Sequence, residues 1–169
     1  FAQGAAIGIP YGTAYRALIQ CCGARSGETM LVHGASGAVG TAALQIAAGL
    51  GLTTIGTAGS ARGLELVAEH GAAHVLDHTQ PGYLNAVADI TGGDGPDIIL
   101  EMLANVNLAE DMAIAAPFGR IGIIGSRGAV EINPREAMMK DLSIIAMALP
   151  NTPAEAMAEI HAALGRGLT

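Results

Sequence analysis

The sequence predicts an α/β fold: a doubly wound parallel sheet of six strands in the order 3-2-1-4-5-6, with helices on both faces. Three observations carry that expectation. Short apolar runs such as Met30-Leu-Val32 and Ile98-Ile-Leu100 suit strands buried on both faces. Segments at helical spacing alternate with them, as in Val39, Ala42, Ala43, Ile46 and Ala47. The stretch Met30 to Gly40 reads as a buried strand, a glycine turn and a helix start.

Taken in order, Gly8-Ile-Pro-Tyr-Gly12 is turn-like, and Thr13 caps a helix through Tyr15, Leu18 and Ile19 to about Cys22, stopped by Gly23. The first strand is Thr29 to His33, and the helix after the glycine turn ends near Gly49 and Gly51. Leu52 to Thr57 is the second strand, with Arg62 in the first turn of a helix that continues from Leu64 to His70. His74 to Asp77 is the third strand, followed by a helix from about Pro81 to Thr91. The fourth strand, Pro96 to Glu101, leads to a helix over Asn105 to Ala115; the fifth is Arg120 to Gly125. Asn133-Pro134 opens a helical turn to about Met139, Leu142 to Leu149 is the sixth strand, and a helix from Thr152 to Leu164 closes the chain.

With 169 residues, 51% hydrophobic and 14% charged, the chain is a globular domain with a sizeable core. Eight Lys plus Arg against fifteen Asp plus Glu give a net charge of −7 with no basic stripe, which disfavours nucleic acid as a partner. No apolar run reaches the ~18 residues that span a bilayer, and no signal peptide precedes the first element, so the expected location is cytoplasmic. Cys21 and Cys22 are adjacent on a helix and point about 100° apart, so they form no framework disulfide; burial on the helix or a vicinal redox pair are the two readings. The five histidines are scattered and no His/Cys/Glu cluster has ligand spacing, so no metal is expected. The opening at Phe1 and the close at Leu168-Thr169 lack terminal punctuation, as in a piece of a longer protein.

The three glycines of the turn, Gly34, Gly37 and Gly40, give G-x-x-G-x-x-G, with Ala35 where the usual dinucleotide fingerprint has its first glycine. Gly37 still allows backbone to approach a pyrophosphate, Gly40 lets the helix lie close on the strand, and N–H groups at the helix start face the phosphates. In a chain with 24 glycines such a triplet also arises by chance. The predicted sheet order adds context, because it brings the loops 34–40, 56–60, 102–107 and 124–128 to one sheet edge. No Asp or Glu occurs between Glu28 and Glu65, whereas Ser60 and Arg62 follow the second strand. An acidic residue there would hold a free ribose 2′-OH; hydroxyls with a nearby Arg accommodate a 2′-phosphate, which favours NADP over NAD. The alternative is that Arg62 is only a solvated helix residue.

The segments Gly4 to Tyr11 with Thr13 to Ile19, Val32 to Gly40, Gly56 to Gly59, Ile99 to Leu108, Gly125 to Gly128 and Glu131 to Arg135 together resemble the zeta-crystallin family. These are NADPH:quinone oxidoreductases in the zinc-free branch of the medium-chain dehydrogenases/reductases, and the likeness runs along nearly the whole chain. It implies an NADP-binding Rossmann domain over 29–169, inserted between two stretches of a catalytic domain that lie outside these residues. Residues 1–28 would be the linking segment and helix at that junction. By matching motif it places Ser36, Gly37, Ala38 and Val39 at the pyrophosphate, and Gly59 near the adenosine side, next to the Ser60 already noted after the second strand. His78 and Asn107 would also contact the cofactor, Ile124, Gly125, Ser126 and Arg127 would form the loop after the fifth strand, and Met147, Ala148 and Leu149 would lie beside the nicotinamide. Bland readings stand next to these: His78 as a surface turn residue, Asn107 as a helix cap, Arg127 paired with Glu131, Met147 as packing. No catalytic residue falls in this segment.

The implied activity is transfer of reducing equivalents from NADP(H) to a quinone, with the missing half deciding the acceptor. An enoyl or alkenal reductase of the same superfamily shares every cofactor motif, and a non-enzymatic crystallin-like or RNA-binding role is the rival from another class. The apolar run 144–149 at the sheet edge suggests a homodimer formed through the sixth strand.

Overall fold

The structure is a computed structural model that describes residues 2–167. Six strands form one sheet: β1 Thr29–Val32, β2 Thr53–Ala58, β3 His74–Asp77, β4 Ile98–Glu101, β5 Arg120–Ile123 and β6 Ser143–Ala146. Their order is β3-β2-β1-β4-β5-β6 and every pairing is parallel, as expected. The helices are α1 Ala2–Tyr15, α2 Ala38–Gly49, α3 Ala61–Glu69, α4 Tyr83–Ile90, α5 Ala104–Ile114, α6 Pro134–Lys140 and α7 Ala154–Gly165.

The apolar strand runs have a direct explanation in the two cores. Met30, Val32, Ile98 and Leu100 point to one face, where they pack with Leu18, just beyond α1, and with Ala43 and Ala47 of α2. Leu31, Ile55, Ile99 and Ile121 point to the other, against Val87 of α4 and Leu108 and Met112 of α5. Alternating side chains of one strand thus feed two cores, so each must be apolar. Register places Val32 beside both Gly56 and Leu100, which aligns the carboxyl ends of β2, β1 and β4.

The N-terminal segment departs from expectation. Gly8 to Gly12 is not a turn: α1 runs through Pro10, and a π-helical turn over Arg16–Cys21 extends it. Thr13 caps nothing and sits 8% exposed inside the helix. Tertiary packing overrides the local punctuation. A Cβ on Gly12 would lie 3.6 Å from Ile160 of α7, Tyr15 Oη donates to Glu159 at 3.1 Å, and Tyr11 Oη donates to Gln45 of α2 at 2.5 Å. Gly23, with φ +59, ends the segment as foreseen. β6 is shorter than the run 142–149 suggested, because a 3₁₀ turn at Leu149–Asn151 around Pro150 follows it. It is one of the two edge strands, with Ile144 37% exposed.

Two close approaches fix the glycine turn. A Cβ on Gly40 would fall 2.6 Å from Ala35 Cα and 2.7 Å from its carbonyl oxygen, so only glycine lets α2 start there. The Ala35 side chain is fully buried, and an ideal Cβ on Gly56 of β2 would lie 3.1 Å from it and 2.5 Å from Val67 Cγ1 of α3.

Candidate functional site

The carboxyl ends of β1 and β4 flank the point where strand order reverses, which is where open parallel sheets bind ligands. β1 passes through His33 into Gly34, whose φ of +58 starts the turn. Thr57 of β2 pins that turn, accepting from Ala35 N–H through its carbonyl at 2.8 Å and from Gly34 N–H through its hydroxyl at 3.2 Å. α2 then begins with Gly37 as N-cap and no side-chain cap bond. The first-turn N–H groups of this 12-residue helix thus have no side-chain cap, beside exposed Gly37 and Ala38 and half-buried Ser36 and Val39. A cavity of about 430 Å³ opens between the ends of β1, β3 and β4, lined by Gly34, His78, Tyr83, Leu103 and Asn107 among others.

At the end of β2, Gly59 and Ser60 are exposed; Asp77 of β3, paired with Ala58, is the carboxylate beside them and accepts from Thr79 and Gln80. Ser60 is the N-cap of α3, its hydroxyl accepting from Gly63 N–H at 3.1 Å. An ideal Cβ on Gly63 would meet both Ser60 Oγ at 3.0 Å and Ser36 Oγ at 3.2 Å, so the two hydroxyls converge on one corner. Arg62 reaches Glu65 at 3.2 Å and Glu69 at 3.7 Å with its side chain 67% exposed. Gly59 has His78 above it: a Cβ there would come within 2.5 Å of the imidazole Nε2. His78 is exposed, and its Nδ1 lies 3.4 Å from the Thr57 hydroxyl.

Asn107 is not a helix cap. Leu103 holds that position, and Asn107 Nδ2 donates to both oxygens of Glu101, at 3.2 and 3.1 Å. The loop after β5 lies against the loop after β4: Gly125 N–H donates to the Glu101 carbonyl at 3.2 Å and Ala104 N–H to the Gly125 carbonyl at 2.9 Å. A Cβ on Gly125 would strike the Met102 carbonyl, while Ile124 and Met147 pack around the same core as Met102. Ser126 Oγ donates to the Gly128 carbonyl at 3.1 Å. Arg127 makes no ion pair with Glu131 among the described residues; its backbone N–H donates to Asn105 Oδ1 at 2.8 Å. After β6, Ala148 is exposed, whereas Leu149 turns toward Gly12 of α1, 3.7 Å from a Cβ placed there.

Beneath the crevice lies a feature that scattered spacing had concealed. His33, Glu101 and Asp111 are buried at 3, 0 and 0% exposure, and their ligand atoms fall within 4.8 Å of one another. His33 Nε2 stands 2.8 Å from Asp111 Oδ1 and 3.7 Å from Glu101 Oε2. Glu101 also accepts from Leu103 N–H. Burial favours a neutral His33 ring, but the Asp111 hydrogen bond and the charges of Asp111, Glu101 and Glu110 outweigh it and raise its pKa. Burial pushes Glu101 up to about 7, with the Asp111 carboxyl adding to the push against the pull of His33. The sequence signal was that His33 closes the apolar run Met30-Leu-Val32 and Glu101 the run Ile98-Ile-Leu100, whereas Asp111 follows Glu110 and stands out by nothing.

The profile of a known family, described as zinc-binding dehydrogenase, matches residues 38–164. The chain belongs to the zinc-binding dehydrogenase family. Within this family it is similar to the quinone oxidoreductase of Homo sapiens, 49% identical over 99% of this chain and 51% of the human protein. The solved quinone oxidoreductase of Thermus thermophilus, described with its NADPH complex, superposes with a TM-score of 0.81 at 33% identity, covering 95% of this chain and 51% of that one. The CurK enoyl reductase superposes at 0.86 with 25% identity, over 97% and 50%. The chain therefore spans about half the length of the curated relatives it matches.

The family's description raises zinc, and the donors of this chain do not fit it. The 2.8 Å contact in the His33 cluster is a hydrogen-bond separation, and both Glu101 oxygens already accept N–H groups. Cys22 is buried, with its thiol pushed up to about 12 by desolvation, the reverse of a thiolate ligand. Among the described residues no helix is long and apolar enough to cross a membrane.

Proposed function

We propose that this chain is the dinucleotide-binding domain of an NADPH-dependent quinone oxidoreductase. The observation that carries the cofactor reading is a pairing: an α2 N-terminus without a side-chain cap follows the glycine turn, and the chain after β2 carries Ser60 and Arg62 with no Asp or Glu between Glu28 and Glu65. The quinone assignment draws on the likeness to the human enzyme. NADPH, when bound, supplies the reducing equivalents at its nicotinamide ring.

The chain's own groups then have definite tasks. N–H groups at Ala38 and Val39, beside Ser36 and Gly37, receive the pyrophosphate. Ser60 keeps its hydroxyl proton for a phosphate oxygen, since its lone pair serves Gly63 N–H. Arg62 turns from its exposed partners, pairs worth ~0–1 kcal/mol, to the 2′-phosphate. His78 covers the adenosine side above Gly59. Asn107, its amide N–H groups held by Glu101, presents Oδ1 as an acceptor to the crevice. The loop Ile124 to Arg127 and the segment Met147 to Leu149 border the nicotinamide end, and substrate groups come from the part of the protein beyond these residues. The edge strand β6 joins two subunits as a homodimer.

Calorimetric titration of the chain with NADPH and NADH tests the cofactor reading. NADPH should bind more tightly; a preference for NADH overturns the 2′-phosphate argument. An enoyl reductase activity is the second reading, supported by the superposition on the CurK enzyme. Steady-state assays of the whole protein with a quinone and a 2-alkenal separate the two, a strong alkenal preference favouring the second.

A further inference from the structure

The crevice floor holds more charge than cofactor positioning requires. His33 follows β1, Glu101 ends β4 and Asp111 lies in α5, so three elements bring one imidazole and two carboxyls into a space closed to water. Asp111 Oδ2 is buried without an N–H or hydroxyl donor. The ligand atoms of Asp111, Glu101 and His33 lie within 4.8 Å of one another, and two carboxyls buried that close share their charge only when one keeps its proton. An imidazolium, one carboxylate and one carboxyl sum to zero charge. The other titratable groups facing the cluster are Glu110 of α5 and Tyr83 of α4, with His78 across the cavity.

We infer that His33, Glu101 and Asp111 are positioning residues that form a neutral, proton-sharing cluster, and that its loss of a proton weakens binding of the anionic dinucleotide. The inference rests on the dinucleotide reading of the crevice. The cluster touches both loops that would hold the ligand: His33 immediately precedes Gly34 of the glycine turn, and Glu101 grips Leu103 N–H and the Asn107 amide. A negative charge released there lies under the phosphates and also remakes the hydrogen bonds that shape both loops. With Glu101 pushed up to about 7 by burial, the change falls near neutral pH. Reciprocity then requires that cofactor binding draw protons into the cluster.

The test is NADPH affinity between about pH 7 and 9, a window in which the 2′-phosphate is already ionised. The natural chain should lose affinity by about threefold or more, the scale of one added charge at screened distance. Glu101→Gln, a neutral stand-in for the acid, should bind with a flat profile. Calorimetry in buffers of different protonation enthalpy should show proton uptake on NADPH binding to the natural chain and none with E101Q. Equal slopes for the two proteins, or no uptake, overturn the inference. If E101Q does not fold, infrared spectra of the natural chain decide: a carboxylic-acid C=O band at about pH 6 that fades on raising the pH supports the cluster, and its absence overturns it. Failure to bind NADPH at any pH, with the infrared band present, would instead count against the dinucleotide reading and leave the proton-sharing cluster standing.

Discussion

The two halves of the crevice solve opposite problems. The outer half, from the glycine turn to the end of β2, is exposed and rich in small residues: Gly37, Ala38, Gly59 and Ser60 all face solvent. The inner half, where β1 and β4 end, is almost fully shielded from solvent and holds buried polar groups at His33, Glu101 and Asp111. Exposed polar groups are cheap to position and yield readily to a ligand, whereas buried ones hold geometry only while every partner is present. The outer half should therefore govern which cofactor binds, and the inner half whether the crevice keeps its form.

The contrast is broken most severely by Asp111→Ala, which strands a buried imidazole; unfolding in urea should show a loss of about 3–5 kcal/mol. Gly40→Val attacks the hinge between the halves, since its Cβ would press on Ala35 backbone at 2.6 Å; the same measurement should show about 1–3 kcal/mol or more, with NADPH binding lost in parallel. Arg62→Ala sharpens the contrast from the other side: NADPH affinity should fall about tenfold, NADH affinity should hold, and the melting temperature should barely move.

The mildest probe is pH. Both His33 and Glu101 have folded-state pKa values above their ordinary ones, so their stabilisation is complete in mild acid and is lost as pH rises. For Glu101 the loss spans its ordinary range up to about 7, and for His33 it continues above its usual value. Thermal melts should fall by about 2–4 °C between pH 5 and 8. E101Q should flatten most of that slope, and a melting temperature that rises over the range contradicts the arrangement.

The outer half could be read in the chain because its chemistry is local. A glycine turn between an apolar strand and an apolar helix, and a β2 end without acid, are patterns of neighbours. Strand order was equally legible, since runs such as Met30 to Val32 and Ile98 to Leu100 must be buried on two faces and parallel strands need crossovers. The inner half was not legible, because His33, Glu101 and Asp111 are 68 and 10 positions apart in succession and meet only through the pairing of β1 with β4. Asn107 followed the same course: its type suggested a cap, and its partner 6 residues back decided otherwise. At the N-terminus, Gly8, Pro10 and Gly12 carried turn chemistry that contact with α2 and α7 overruled.

Ala35, Gly56 and Val67 bear on how this fold tolerates change. The three occupy one parcel of space between the turn, β2 and α3, with the Ala35 methyl filling what a bulkier residue at 56 would need. Substituted singly, each position should look intolerant. Varied together, with Ala35→Gly and Val67→Ala making room for Gly56→Ala, they should behave as a single interchangeable volume. Among related chains the identity at position 35 should then co-vary with those at 56 and 67, and the glycine a fingerprint demands at its first position becomes a question of which neighbour carries the methyl group.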